Sequence, residues 1–306
     1  MSQDVRDVPV LLLAFNRPKA FGGLIDALRL TKPANIYASF DGPRSADEAR
    51  LVEMSIACLE QVDWACQLHV RRNSRNLGCR QAVRGAIKWF FLERAEGIIL
   101  EDDVRPSEDF FVFAHEMLGS FRNDPQIAMI NGSSRVPAAS QGTERNTRLT
   151  RYSHVWGWAT WRDTWEMYEQ FVDDQQRGAS ILPLVKTLDY RLLEALYWYR
   201  KFKLARTGRI DSWALSLQEM LFVAGQLAVS PRESLVDNVG FSSGATHTHS
   251  QPRHLQKRGT WQADLQDPLP RYRDAVADRW EGRHVVPGSV GEVFARLLRR
   301  TSIQEP

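Results

Sequence analysis

Cysteine is scarce: Cys58, Cys66 and Cys79 are the only three in 306 residues. An odd trio without metal-ligand spacing excludes a disulfide-stapled scaffold and reads as structural thiols in a reducing compartment. Long hydrophobic runs are missing too. The longest, Val8 to Phe15, falls far short of the roughly 20 residues a membrane helix needs. The opening Met-Ser-Gln-Asp has no basic-then-apolar signal layout. A cytoplasmic protein is expected, with peripheral contact to the inner face of a membrane left open. Charge of one sign is also lacking: 40 Lys+Arg against 37 Asp+Glu leave a formal +3. Both halves of the chain are close to neutral, so no basic domain points to nucleic acid. There is no internal repeat and no low-complexity segment. With 43% hydrophobic and 25% charged residues, the composition is that of an ordinary globular protein with ample chain for a core. Tryptophan is plentiful: four of the ten crowd between Trp156 and Trp165.

The first 135 residues alternate between strand-like and helix-like stretches. Val8 to Phe15 is a nearly unbroken apolar run of strand length, as expected for a strand buried on both faces. Pro18 opens a predicted helix to about Leu30. Strands are predicted at Asn35–Phe40, Gln67–Arg71, Gly97–Leu100 and Ile127–Ile130, with helices at about Ala46–Glu60, Arg80–Glu93 and from a Ser107 cap to Phe121. This alternation argues for an α/β fold, a parallel sheet with helices on both faces. The second half reads differently. Residues 136–150 are polar and read as a mobile loop. A long helix is predicted from about Leu182 to Ala205, another from near Asp211, a Gly/Ser/His loop over Gly240–Ser250, and a short basic amphipathic helix over Val290–Arg300.

Glu101-Asp102-Asp103 carries the strongest chemical signal. It closes a predicted strand at the carboxyl edge of the sheet, where open α/β sheets bind ligands. Three adjacent carboxylates repel unless a cation or donors neutralise them, and hard divalent cations take one or two carboxylates plus substrate phosphates. A metal-bridged nucleoside diphosphate is the natural ligand; a solvated acidic turn is the plainer reading. Asp41-Gly42 closes another strand at the same edge, where a carboxylate could accept a uracil N–H or simply make a turn. Arg17 leaves the first strand there, within reach of a base or phosphate. The stretch Arg75 to Arg80 turns into a helix whose first amides, with Arg80 beside them, could meet an anion. Asp211 is either a helix cap or a functional carboxylate. His247 and His249 lie in a glycine-flanked loop suited to closing over phosphate. Trp158 is a sugar-stacking candidate, with Trp161 and Trp165 assigned to packing. Trp198 to Arg206 interleaves aromatics with cations: a solvated helix face or a rest on anionic lipid.

In their order, Val8-Pro-Val…Asn16-Arg17, Asp41-Gly42, Glu101-Asp102-Asp103 with Pro106-x-x-Asp109-Phe110-Phe111, Gly157-Trp158, Asp211-x-Trp213 and Gly244-Ala-Thr-His247 resemble the GT-A glycosyltransferases. The N-acetylglucosaminyltransferase I family and its bacterial relatives are the nearest in pattern, over roughly residues 8 to 250. The resemblance implies a GT-A fold with a Rossmann-like, mostly parallel sheet and a helical acceptor-side half. It divides the chain into a nucleotide-sugar half (1–135), an acceptor and catalytic half (136–250) and an extension (251–306). It also implies an inverting transferase that uses Mn²⁺ or Mg²⁺ and a UDP-sugar, UDP-GlcNAc among the options. The expected acceptor is a carbohydrate or lipid-linked glycan in bacterial polysaccharide biosynthesis. Carried onto this chain, Asp103 and His247 hold metal. Arg17, Asp41, Arg80, Glu101, Asp102 and Trp158 bind the donor, and Asp211 is the base. Two rivals are a sugar-1-phosphate nucleotidyltransferase, which would want a Gly-rich loop where Phe15-Asn-Arg-Pro-Lys19 stands, and a non-catalytic nucleotide-sugar-binding protein.

Overall fold

A computed structural model describes residues 5–174, 178–240, 258–263 and 269–285. The apolar run at the start forms β1 (Val10–Ala14), and Pro18 occupies the first turn of α1 (Pro18–Leu28). Next come β2 (Asn35–Phe40) and α2 (Ala46–Ala57), the latter opened by Ser45, whose Oγ accepts from the Glu48 amide at 3.2 Å. β3 (Gln67–Arg72), α3 (Gly78–Glu93), β4 (Glu96–Glu101) and the short β5 (Val104–Pro106) follow. Ser107 caps α4 (Glu108–Phe121) as its sequence predicts, with its Oγ accepting from Phe110 N at 3.2 Å. The remaining elements are β6 (Ile127–Asn131), β7 (Thr147–Thr150), β8 (Trp158–Trp161), α5 (Arg162–Asp173), α6 (Ile181–Thr187), α7 (Leu192–Arg206), α8 (Trp213–Ala224), β9 (Leu227–Pro231), β10 (Val236–Asn238) and α9 (Ala275–Val285).

Eight strands form one sheet in the order β3-β2-β1-β4-β8-β6-β9-β7. β1 pairs in parallel with β2 and β4, β2 with β3, and β6 with β9. β8 runs antiparallel between β4 and β6, and β7 is an antiparallel edge strand on β9. The fold is therefore α/β with a mostly parallel sheet, as expected from the alternation. Both predicted halves contribute strands to it. The period-2 alternation of side chains sends Val10 and Leu12 to one core with α1, α2 and α4, and Leu11 and Leu13 to the opposite core with α3, α5 and α8. A third cluster joins α6 and α7 to Tyr152 and Phe222. Among the described residues no helix is long and apolar enough to cross a membrane.

Two sequence expectations need correction. The single helix over 182–205 is two, α6 and α7, because Asp189 and Tyr190 adopt left-handed φ of 53° and 63°. Asp189 is held in that turn by Arg151 at 2.5 Å and Arg273 at 2.6 Å, both distant in sequence. The loop expected at 136–150 contains β7, all four residues of which are buried. Leu149 enters the first core, and Thr150 Oγ1 donates to Asp278 Oδ1 of α9 at 2.6 Å. On the polar face of the strand Thr150 finds a partner on α9, and the buried Arg148 guanidinium lies in the field of Asp278 and Glu281. The Trp cluster supplies β8, in the middle of the sheet. The predicted helix at 290–300 lies outside the described residues.

Candidate functional site

The parallel strands β1, β2 and β4 all end at one edge. Each hands its next residues to the same cavity of about 550 Å³: Phe15 to Arg17 after β1, Asp41 and Arg44 after β2, and Glu101 to Asp103 at the end of β4. The opposite wall is the start of α3 (Asn76, Gly78, Cys79, Ala82, Val83), with Trp156, Asp211, Asn238 and Gly240. The volume falls in the usual range for small-molecule sites. The position, beyond the carboxyl ends of parallel strands, is where open α/β sheets take ligands.

The acidic triplet sits on the cavity floor. The Asp102 amide donates to Leu13 O at 3.0 Å, which extends the β1–β4 pairing one residue and buries Asp102. Arg17 grips both aspartates, with Nη2 at 2.6 Å from Asp102 Oδ1 and Nη1 at 2.9 Å from Asp103 Oδ2. Arg17 is thus the counter-charge of the triplet, where the sequence had suggested contact with a base or phosphate. One oxygen on each aspartate, Asp102 Oδ2 and Asp103 Oδ1, is buried without a hydrogen-bond partner. Burial, then the charges of Asp103 and Asp102, push the Glu101 carboxyl up to about 8 against the pull of Arg17. Burial likewise pushes Asp102 up to about 6 while Arg17 opposes it. Gly240 lets the chain pass over this floor, since a Cβ there would strike the Asp103 carboxylate.

Among the described residues no group of three or more His, Cys, Asp or Glu side chains is arranged to hold a metal. The two orphaned carboxylate oxygens are hard donors of the kind Mg²⁺ and Mn²⁺ accept one or two at a time, with water and phosphate completing the shell. The residues present fit such an ion as a partial shell. His247, the other predicted ligand, and His249 lie outside the described residues.

Asp41 is saturated from within. Its Oδ1 accepts from Gly42 N at 2.9 Å, Leu77 N at 3.0 Å and Asn73 Nδ2 at 3.1 Å, and its Oδ2 from Asn76 Nδ2 at 2.9 Å and Gly78 N at 3.2 Å. The α3 amides that the sequence offered to a ligand anion are occupied by this carboxylate. Asp41 binds two loops together, and Gly42 permits the approach, because a Cβ there would collide with the Arg75 backbone.

Arg80 also departs from its predicted place. Its Nη2 donates to Ala205 O at 2.6 Å and Ile210 O at 2.7 Å, so it anchors the segment after α7 and stands outside the cavity lining. Its Nε lies 3.8 Å from Asp211 Oδ1. Asp211 does not spend its carboxylate on a cap: Ser212 caps α8, with its Oγ accepting from Leu215 N at 3.4 Å. The Asp211 side chain is about half exposed, at 52%, and lines the cavity with the triplet. Gly78, at φ 78°, clears space for it; a Cβ at Gly78 would come within 3.2 Å of Asp211 Oδ2.

Trp158, the expected sugar platform, is in the core. It is 1% exposed, stacks on Trp213 at 5.5 Å and packs near Trp165 at 6.5 Å. β-strand alternation places Trp158 and Trp161 in opposite cores. Trp156, two residues earlier and outside the strand, lines the cavity with Arg135 over its ring at 5.0 Å. The Trp-Gly-Trp motif is visible in the sequence, but the strand that decides between its indoles is not. Asn238 had no signal at all. Cys79 is half-buried in the cavity wall, and its thiol is pushed up to about 12 by desolvation, then by Glu101, Asp211 and Asp41. A thiol held that far up carries little thiolate at neutral pH, which fits a structural role.

No protein-family model and no curated protein sequence matches the chain. Among solved structures it is similar to HddC from Yersinia pseudotuberculosis, at 13% identity over 51% of this chain and 77% of that one, with a TM-score of 0.32. It is also similar to a putative glucose-1-phosphate thymidylyltransferase from Bacillus anthracis, at 11% identity over 53% and 74%, again with a TM-score of 0.32. Likeness at that level carries no functional argument, so the α/β assignment rests on the sheet itself.

Proposed function

We propose that the protein is a divalent-cation-dependent glycosyltransferase that takes a sugar from a nucleoside diphosphate, UDP by preference, and moves it to an acceptor hydroxyl with inversion. One observation carries this reading. Two orphaned aspartate oxygens and a half-exposed, uncapped Asp211 share one cavity at the carboxyl edge of a parallel sheet. Asp102 and Asp103 would hold a bound Mg²⁺ or Mn²⁺, which when present stabilises the developing diphosphate charge without proton transfer. Arg17 keeps the two aspartates fixed and supplies positive charge beside the phosphates. Asp211 accepts the proton of the acceptor hydroxyl as that oxygen attacks the anomeric carbon and the bond to the diphosphate breaks. A carboxylate can take this proton because the hydroxyl becomes acidic only in the transition state. A single displacement needs no protein nucleophile, so an α-linked donor gives a β-linked product. Trp156 offers the apolar surface that a pyranose ring can pack on.

The test is an assay of nucleoside diphosphate release from a panel of nucleotide sugars with Mn²⁺ and glycan acceptors. Asp211→Asn should retain UDP binding and lose transfer. A second reading, a sugar-1-phosphate nucleotidyltransferase, is favoured by an arginine, Arg17, in the segment that follows β1 into the cavity. It is opposed by the lack of glycine in Phe15-Asn-Arg-Pro-Lys19 and by the commitment of Arg17 to two aspartates. Pyrophosphate release from a nucleoside triphosphate and a sugar 1-phosphate would decide for it.

A further inference from the structure

We propose that the solvent face of α6 and α7 docks on an anionic lipid surface. Five large apolar side chains stand exposed within fifteen residues: Leu182, Tyr190, Leu192, Leu193 and Leu196, from 46% to 79%. Tyr190 is held out by the left-handed turn that Arg151 and Arg273 pin through Asp189. Along α7, Ala195, Trp198, Phe202 and Ala205 face inward, and Trp198 and Phe202 pack with Phe222 of α8. The outward stripe at spacings of three and four is Leu193, Leu196, Arg200 and Lys203, all exposed. It is apolar at one end and cationic at the other.

Charge identifies the occupant. Residues 181–210 contain seven Lys and Arg but only Asp189 and Glu194 as acids, a formal +5 in a chain whose total is +3, so the rest of the chain is net negative. Both acids are engaged, Glu194 by Arg191 and Tyr152 and Asp189 by Arg151 and Arg273, and Arg206 is paired with Glu219, which leaves Lys186, Arg200, Lys201, Lys203 and Arg209 outside these pairs. A second copy of this chain meeting the face antiparallel would set the leucine end against the cationic end and leave the cations with no acidic partner. An anionic bilayer satisfies both ends at once, with leucines and Tyr190 at the headgroup boundary and Arg200, Lys203 and their neighbours over lipid phosphates. The docking does not rest on the proposed chemistry. It does set the end of α7, whose Ala205 carbonyl accepts from Arg80 beside Asp211, on the membrane side of the cavity.

The test is sedimentation of the full chain with vesicles of phosphatidylcholine alone or mixed with phosphatidylglycerol, at low and high salt. The expected result is binding to the anionic vesicles, weak binding to the neutral ones, and loss with salt. Two double variants at exposed positions, Leu193→Gln with Leu196→Gln and Arg200→Gln with Lys203→Gln, should each lower partitioning on the order of tenfold. Circular dichroism and UDP binding should stay at wild-type values, which separates this face from the cavity. No binding to anionic vesicles overturns the proposal, as does binding that both variants leave unchanged. A dimer in light scattering that the leucine variant dissociates would also overturn it, by assigning the face to self-association.

Discussion

Arg80 Nε lies 3.8 Å from Asp211 Oδ1 while Arg80 Nη2 donates to the carbonyls of Ala205 and Ile210. One guanidinium therefore anchors the segment that carries Asp211 and sets a positive charge near its carboxylate. Arg80→Met removes both functions without adding a polar group. The expected outcome is a fall in kcat of about 10-fold to 100-fold from a misplaced base, with the KM for donor little changed. A stability loss of about 1–3 kcal/mol should accompany it, from carbonyls left without their donor. Steady-state kinetics and urea denaturation of the same preparation check the two effects separately.

The raised carboxyls on the cavity floor give a pH dependence with a defined sign. Glu101 is pushed up to about 8 and Asp102 to about 6, burial being the largest cause for each. Their folded values lie above their unfolded ones, so the folded protein holds protons that the unfolded chain releases. Their contribution to stability is complete below the unfolded pKa near 4 and is lost as pH rises toward 8. The metal-free protein should melt at a lower temperature at pH 8.5 than at pH 5.5 on this account. Because a metal binds the ionised forms, affinity for Mn²⁺ should rise over the same range, with proton release on binding. Thermal scans at several pH values, with and without Mn²⁺, check both halves.

Trp156 and Trp158 should separate function from stability. Trp158→Ala empties a fully buried site between Trp165 and Trp213 and should cost about 3–5 kcal/mol. Trp156→Ala should cost much less stability and weaken binding of the intact nucleotide sugar more than that of UDP alone. Denaturant titration with parallel calorimetry on both ligands distinguishes the two residues.

His154 and Glu281 tie α9 to the sheet. His154 Nε2 is 2.6 Å from Glu281 Oε1, both side chains being buried, and His154 Nδ1 is 2.9 Å from Ser133 O. Burial alone would raise the Glu281 carboxyl, but the charge and hydrogen bond of His154, with Arg135 and Arg148, hold it below its usual value. The stability this supplies is present above about pH 4.5 and lost as pH falls through the folded value. Glu281→Gln should destabilise by about 3–5 kcal/mol at neutral pH, leaving buried cations short of a partner. It should also flatten the acid limb of the stability profile, which a set of melts from pH 3 to 7 measures.

Much of the site was legible because local signals and the fold rule agreed. Val8 to Phe15 reads as a buried strand, and carboxylates follow strands at Asp41 and Glu101 to Asp103. In a parallel sheet such residues must meet at one edge. The roles that shifted depended on partners far away in sequence. Asp41 is saturated by donors from Asn73 to Gly78, Arg17 is drawn to a triplet more than 80 residues on, and Arg80 reaches carbonyls near residue 205. No periodicity encodes these pairings. The turn at Asp189 and the polar strand β7 were hidden for the same reason, since each is stabilised by charged residues on or beside α9.

Metal-dependent capture of a nucleoside diphosphate by Asp102 and Asp103 underlies the proposed chemistry. Calorimetric titration of UDP into the full chain, with and without Mn²⁺, measures this directly. The expected result is binding that requires Mn²⁺ in the wild type and is lost in Asp103→Ala, whose fold is verified by circular dichroism. A chain that binds no nucleoside diphosphate in the presence of Mn²⁺, or an Asp103→Ala variant that binds as well as wild type, would contradict it.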